Sequence, residues 1–299
     1  DDSVLMVAEE STAWPLVTAP TSAEGLGFNL KWNMGWMNDT LRYLKTDPYF
    51  RADHHSDLTF SLMYAFSENF ILPLSHDEVV HMKGSLMGKA PGTIEQKFAG
   101  VRAFWAYMLA HPGKKLLFMG AELGQLSEWD YSSELPWELL ENAENAALHT
   151  YFAESNKFYK SNKPLWHIDF AAEGFKWLCP DEREKNIIAF VRKDRSGREL
   201  IFICNFSGIS VNDFRLGVTG TGSYKILLST DEPRFGGSGA LTESEAFNVE
   251  KIPFHGQNYS ITMNIPPLTA VFMRRTRSTS PRPSCSSDKP QKKPNGKKT

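Results

Sequence analysis

Short apolar runs that break into polar clusters recur along the first half of the chain. Ile71-Leu72-Pro73-Leu74 is the kind of run that forms a strand buried on both faces, and it gives way to Ser75-His76-Asp77-Glu78. Val4-Leu5-Met6-Val7-Ala8 has the same design and ends in Glu9-Glu10-Ser11-Thr12. Lys115 to Met119 repeats it and closes on Gly120 and Glu122. Between the last two strands, Ile94, Phe98, Val101, Trp105 and Met108 step by three and four residues along one helical face. Thr93 and Gln96 form a capping box at its start, and His111-Pro112-Gly113 stops it. Helices are also expected around Trp36 to Leu44, ending near Asp47-Pro48, over Leu58 to Phe66, and over Leu148 to Tyr159, ending around Lys163-Pro164. A short strand is expected at Phe28 to Trp32. Strand and helix alternate, and each strand closes on a polar loop, which is the rhythm of a (β/α) barrel with its chemistry at the carboxyl ends of the strands.

From about Leu165 the period changes to two. Ile187 to Arg192 and Leu200 to Phe206 flank the turn Asp194-Arg195-Ser196-Gly197 as a hairpin, and short strands are expected at Tyr224 to Leu228, Tyr259 to Asn264 and Ala270 to Arg274. The expected division is an α/β part over 1–164, an all-β sandwich over 165–275, and a disordered basic tail over 276–299 that carries Cys285 as a free, exposed thiol. The first strand begins almost at once, without Met, and a strand buried on both faces needs neighbours. The chain therefore reads as the C-terminal portion of a longer protein, with part of the sheet encoded before residue 1.

Composition narrows the function. A formal net charge of −2 gives no electrostatic case for nucleic acid or an anionic membrane as partner. No run is long and apolar enough to span a bilayer. Cys179, Cys204 and Cys285 are odd in number and widely spaced, which argues against a disulfide framework or zinc knuckle and for a reducing, cytoplasmic setting. Aromatic residues near the acidic strand ends suit a flat ligand such as a sugar ring.

Acids after a strand often only cap the next helix. His76-Asp77-Glu78-Val79-Val80-His81 is not the H-E-x-x-H metal pattern, and so many ligand types in succession cannot all face one ion. Two strands that each deliver carboxylates at one end, in contrast, can aim them into a single pocket for acid–base work.

Ala8 to Thr12 (AEEST), Gly27 to Leu41 (GFNLKWNMGWMNDTL), Asn69 to His81 (NFILPLSHDEVVH) and Lys114 to Gln125 (KKLLFMGAELGQ) resemble, in order, the second half of the α-1,4-glucan branching enzymes of the α-amylase superfamily. The likeness runs from residue 3 to about Arg274. It implies the C-terminal half of a (β/α)8 barrel, its strands five to eight, followed by the β-sandwich. It also implies cleavage of an α-1,4-glucan with retention and re-attachment of the piece in α-1,6 linkage, as in glycogen. No cofactor and no metal are implied; the expected partner is an α-glucan, and the protein a monomer.

Through the resemblance, Glu9 matches the general acid/base at the end of the fifth strand. Asp77 matches the carboxylate that steadies the oxocarbenium-like transition state at the end of the seventh, and His76 matches a group bonding sugar hydroxyls. A protonated acid is needed to help the leaving oxygen depart, so burial should hold the pKa of Glu9 up. Trp14, Trp32 and Trp36 are candidates for binding sugar and drying the site, with core packing an equal explanation for each. The family's nucleophile, an Asp ending the fourth strand, precedes residue 1. Asp1 and Asp2 open the strand whose far end carries Glu9, roughly 20 Å away at strand rise, so this chain alone should be inactive. Met82 stands where the family usually has Gly, and Ala121 where it often has Asn, which bear on loop shape and one polar contact. The alternatives are an amylase-type hydrolase or a non-catalytic glucan-binding protein.

Overall fold

Four parallel strands lie side by side in chain order in a computed structural model that describes residues 3–276. They are β1 (Val7–Ala8), β2 (Leu30–Trp32), β3 (Phe70–Leu74) and β4 (Lys114–Leu117). In register, Ala8 pairs Lys31, Lys31 pairs Phe70, and Ile71 pairs Lys114. The connections carry α1 (Met34–Lys45), α2 (Ser56–Thr59), α3 (Leu86–Lys89), α4 (Ile94–Ala110) and, after β4, α5 (Ala143–Ser161). β1 reaches β2 by a loop with one 3-10 turn, Thr21–Ala23, and the other parallel neighbours are joined through helices, as in half a (β/α)8 barrel.

The helix starts follow local chemistry. Asn33 caps α1 by accepting from Trp36 N at 2.9 Å. Thr93 and Gln96 form a reciprocal capping box on α4, whose interior from Gly100 to Ala110 is buried throughout.

The expected helix over Leu58 to Phe66 is instead the four-residue α2 followed by a 3-10 turn at Phe60–Met63. Phe60 and Met63 point to solvent, so no apolar stripe holds a longer helix there. The first strand also differs from expectation. Only Val7 and Ala8 pair, and Val4, Leu5 and Met6 are 54%, 62% and 54% exposed, because β1 is a sheet edge with β2 on one side alone. β4 is the other edge, and it is half-buried rather than buried.

The later strands are β5 (Phe175–Glu182), β6 (Ile187–Lys193), β7 (Glu199–Asn205), β8 (Val211–Val218), β9 (Ser223–Ser229), β10 (Ala246–Asn248), β11 (Tyr259–Ile265) and β12 (Thr269–Thr276). Six of them form an antiparallel sheet in the order β10-β9-β12-β7-β6-β5, and β8 pairs with β11. Alternate side chains of this sheet enter two different cores. Ile187, Ala189, Val191, Ile201 and Ile203 pack against Leu216, Ile261 and Met263 of the β8–β11 pair. Ile188, Phe190, Phe202, Cys204 and Phe272 share a single core with Trp36, Leu72, Leu74 and the buried faces of α4 and α5.

Buried arginines fasten the same seam. Arg51 donates to Phe206 O at 2.7 Å, Arg102 to Thr230 O at 3.1 Å, and Arg192 to Ala110 O at 2.7 Å and Asp169 Oδ1 at 2.9 Å. Asp1, Asp2 and the tail with Cys285 lie outside the described residues. Among those described, Cys179 and Cys204 are free and buried, and no helix is long and apolar enough to cross a membrane.

Candidate active site

Glu9 and Asp77 follow the carboxyl ends of β1 and β3, so both leave the parallel sheet at the same end of its strands, with β2 alone between them. Strands at ordinary spacing put those two ends about 10 Å apart across the sheet. The surroundings of the two acids differ. Glu9 is exposed, contrary to the burial expected of it, since among the described residues no strand pairs with the outer flank of β1 to cover it. Its neighbour Glu10 is pinned: Lys31 Nζ lies 2.8 Å from Glu10 Oε2, and the amine holds that carboxyl down at about 2. Lys31, itself buried, also donates to Thr12 O at 3.1 Å and Trp14 O at 2.9 Å, so it fixes the start of the loop that leaves β1. Farther along, Glu68 receives Val17 N at 2.9 Å and Thr18 N at 2.7 Å.

Beneath this loop is a recess of about 520 Å³. Glu10, Trp14, Trp32, Tyr64 and Phe70 line it, with Trp14 exposed and Trp32 half-buried. Trp36 does not reach it. That ring is 0% exposed and packs 6.3 Å from Phe104 and 6.0 Å from His111, so Trp36 belongs to the core and not to a sugar-binding surface. One turn into α1, it faces the helices rather than the sheet edge.

The second acid sits in a built turn. Ser75 N and Ser75 Oγ both donate to Glu78 Oε2, at 2.6 and 2.7 Å, and Asp77 N donates to Ser75 Oγ at 3.2 Å. This capping box over Ser75-His76-Asp77-Glu78 turns His76 and Asp77 outward, both about half exposed, with His76 Nε2 3.3 Å from Asp77 Oδ1. His76 stands 5.9 Å from Phe118, which packs edge-on to Trp129 at 5.1 Å. A recess of about 980 Å³ opens beside it, lined by His76, His81, Glu128, Trp129, Tyr131 and Trp137. Met82, at its lip, is 96% exposed at φ 64°, a left-handed conformation that glycine adopts without strain.

Several of these groups escape sequence reading. Lys31 acts through the carbonyls of Thr12 and Trp14, distant along the chain, and no local motif marks it. The Ser75-x-x-Glu78 pair is a capping box that the sequence does display. In the β-module, Cys179, Glu182 and His255 converge within 4.8 Å, yet Glu182 already pairs with Lys185 at 3.0 Å, and His255 Nε2 lies 3.5 Å from its Oε1.

Residues 177–276 match the family model described as alpha amylase, C-terminal all-beta domain. A 1,4-alpha-glucan branching enzyme GlgB from Aquifex aeolicus (strain VF5) is 50% identical over 274 residues, 91% of this chain and 43% of that protein. GlgB from Rubrobacter xylanophilus is 49% identical over 90% of this chain and 37% of its own length. The chain thus spans about two fifths of the length of the curated relatives it matches. Among solved structures, an alpha-amylase from H. orenii aligns with a TM-score of 0.57 at 15% identity, over 91% of this chain and 54% of that one. A debranching enzyme from Nostoc punctiforme aligns with a TM-score of 0.60 at 15% identity, over 92% of this chain and 52% of that one. The last two are likenesses of fold. At half identity across nine-tenths of its residues, the chain is similar to about two fifths of these 1,4-alpha-glucan branching enzymes.

Proposed function

We propose that the protein takes part in glycogen-type branching: retaining cleavage of an α-1,4-glucan and transfer of the released segment to a 6-hydroxyl. Glu9 acts as general acid/base, first protonating the departing glycosidic oxygen and then drawing the proton from the incoming 6-hydroxyl. Asp77 stabilises the positive charge that develops on the sugar ring, and His76 beside it bonds ring hydroxyls. Trp14 and Trp32 offer aromatic faces to the glucan and keep water from the intermediate. The attacking carboxylate is assigned to the portion of the relatives that this chain does not span, about 5–5.5 Å from the acid/base in a retaining enzyme, and that portion would also bury Glu9. Residues 1–164 are read as the second half of the catalytic barrel and 165–275 as the β-module that supports it. The protein would act as a cytoplasmic monomer on α-glucan chains.

The observation that supports this most is the exit of both acids from the carboxyl end of one parallel sheet, a single strand apart, in a chain half identical to branching enzymes. The experiment is incubation of the full-length protein with amylose, followed by chromatography before and after enzymatic debranching. Short side chains released only on debranching are expected; free oligosaccharides without debranching would mark an amylase-type hydrolase instead.

A further inference from the structure

The segment that follows β3 is not self-supporting. Between Ser75 and Ser85 it makes one 3-10 turn and then runs through His81, Met82 and Gly84 at φ 56°, 64° and 73°, which leaves carbonyls that neither a helix nor a strand ladder takes up. Three of these carbonyls converge on one side chain. Lys89 Nζ, at the end of α3, donates to Glu78 O at 2.5 Å, Lys83 O at 2.8 Å and Gly84 O at 2.5 Å. Lys89 is only 8% exposed. An ammonium is costly to bury unless each of its three N–H groups finds an acceptor, and here each does, through charge-assisted bonds. Burial, with Lys45 nearby, pulls this amine down to about 8. The far flank of the segment is tied as well: Gly84 N donates to Glu128 Oε1 at 2.6 Å, and Ser85 Oγ to Leu126 O at 3.1 Å.

We propose that Lys89 is a positioning residue for the transfer reaction: by gathering the carbonyls of residues 78, 83 and 84, it fixes the backbone from which His76 and Asp77 are presented to the glucan. It acts through the main chain and touches no substrate. The inference rests on the reading of Asp77 given above. Its premise is that a catalytic carboxylate on a loosened turn is displaced from the sugar, and a displacement near 1 Å costs on the order of a hundredfold in rate.

Two variants of the full-length protein test this. Lys89→Met keeps the length of the side chain and removes every donor; Lys89→Arg keeps the charge and the donors. For Lys89→Met, kcat should fall at least tenfold while KM for amylose stays within about twofold. Hydrogen exchange should quicken at the amides of Val79 and Lys83 and stay unchanged in α4. Lys89→Arg should recover part of the lost kcat. Parent-like kcat in Lys89→Met, or lost kcat with residues 76–84 still protected, overturns the proposal. If methionine loosens α4 as well, arginine decides. Parent-like exchange with recovered turnover supports positioning, and parent-like exchange with a tenfold loss overturns it. An active Asp77→Asn would remove the target of the proposal, a result distinct from a rigid, active Lys89→Met, which defeats Lys89 alone.

Discussion

The two acid-bearing strand ends are written alike in the sequence and built differently in the molecule. At β3 the strand is buried along its whole length between β2 and β4, and the residues after it are held by the Ser75–Glu78 capping box and by Lys89. At β1 only two residues pair, three apolar side chains before them face solvent, and Glu9 is exposed while Lys31 secures the loop beyond it. An apolar run followed by acids specifies a strand that delivers carboxylates. How firmly they are held depends on what flanks the strand, which the run itself does not encode.

The largest effect is expected where the two ends should behave alike. Glu9→Gln and Asp77→Asn, each in the full-length protein, should lower branching turnover by orders of magnitude with the fold intact by circular dichroism; undiminished turnover in either would separate that acid from the chemistry. Stability should then show the asymmetry. Leu72→Ala, in β3 and buried in the core, should cost about 2–5 kcal/mol in denaturant unfolding, whereas Leu5→Ala, exposed before β1, should stay within about 0.5 kcal/mol.

The β3 side should also carry a pH response. His111, behind it, is fully buried: Ser61 Oγ lies 2.9 Å from its Nε2, and its Nδ1 donates to Pro112 O at 2.7 Å. Burial pushes its pKa down to about 3. Between pH 6.5 and 3 the unfolded chain therefore binds a proton that the folded chain refuses, so stability falls as pH drops, by about 2 kcal/mol at pH 5 from this group. His111→Gln should flatten that part of the stability–pH curve, and an unchanged slope would place the response elsewhere.

Smaller again is the cap. Ser75→Ala should cost about 1 kcal/mol and Thr12→Ala, at the β1 end, a few tenths, in the same unfolding assay. Smallest is Met82→Gly, which relieves a left-handed conformation at an exposed position and should be neutral or stabilising by about 0.5 kcal/mol.

Legibility in the sequence followed how local the cause was. The helix α4 is readable because its cap, its apolar spacing and its Pro-Gly stop are all contained within it. The β6–β7 hairpin is equally local: Asp194 Oδ1 receives the amides of Ser196 and Arg198, and Gly197 supplies the positive φ. The Leu58 to Phe66 helix fails because Phe60 and Met63, apolar in the sequence, face outward, and composition does not say which way a side chain points. Trp36 fails as a candidate sugar contact for the same reason: it lies four residues after Trp32, but on the face of α1 that packs against Phe104. The roles of Lys31 and Lys89 are not legible because each acts through partners that only the folded chain assembles.

One consequence of the two-faced sheet concerns inheritance and engineering. Phe202 and Phe272 are covered by α4 and α5, with Tyr107 6.5 Å from Phe202 and Phe158 5.1 Å from Phe272. Severing the polypeptide near residue 165 would leave those rings wet, and a released β-module should precipitate. Chimaeras with a related enzyme should survive only when the crossover carries both helices along with the sheet, so recombination is expected to pass these stretches on as one block.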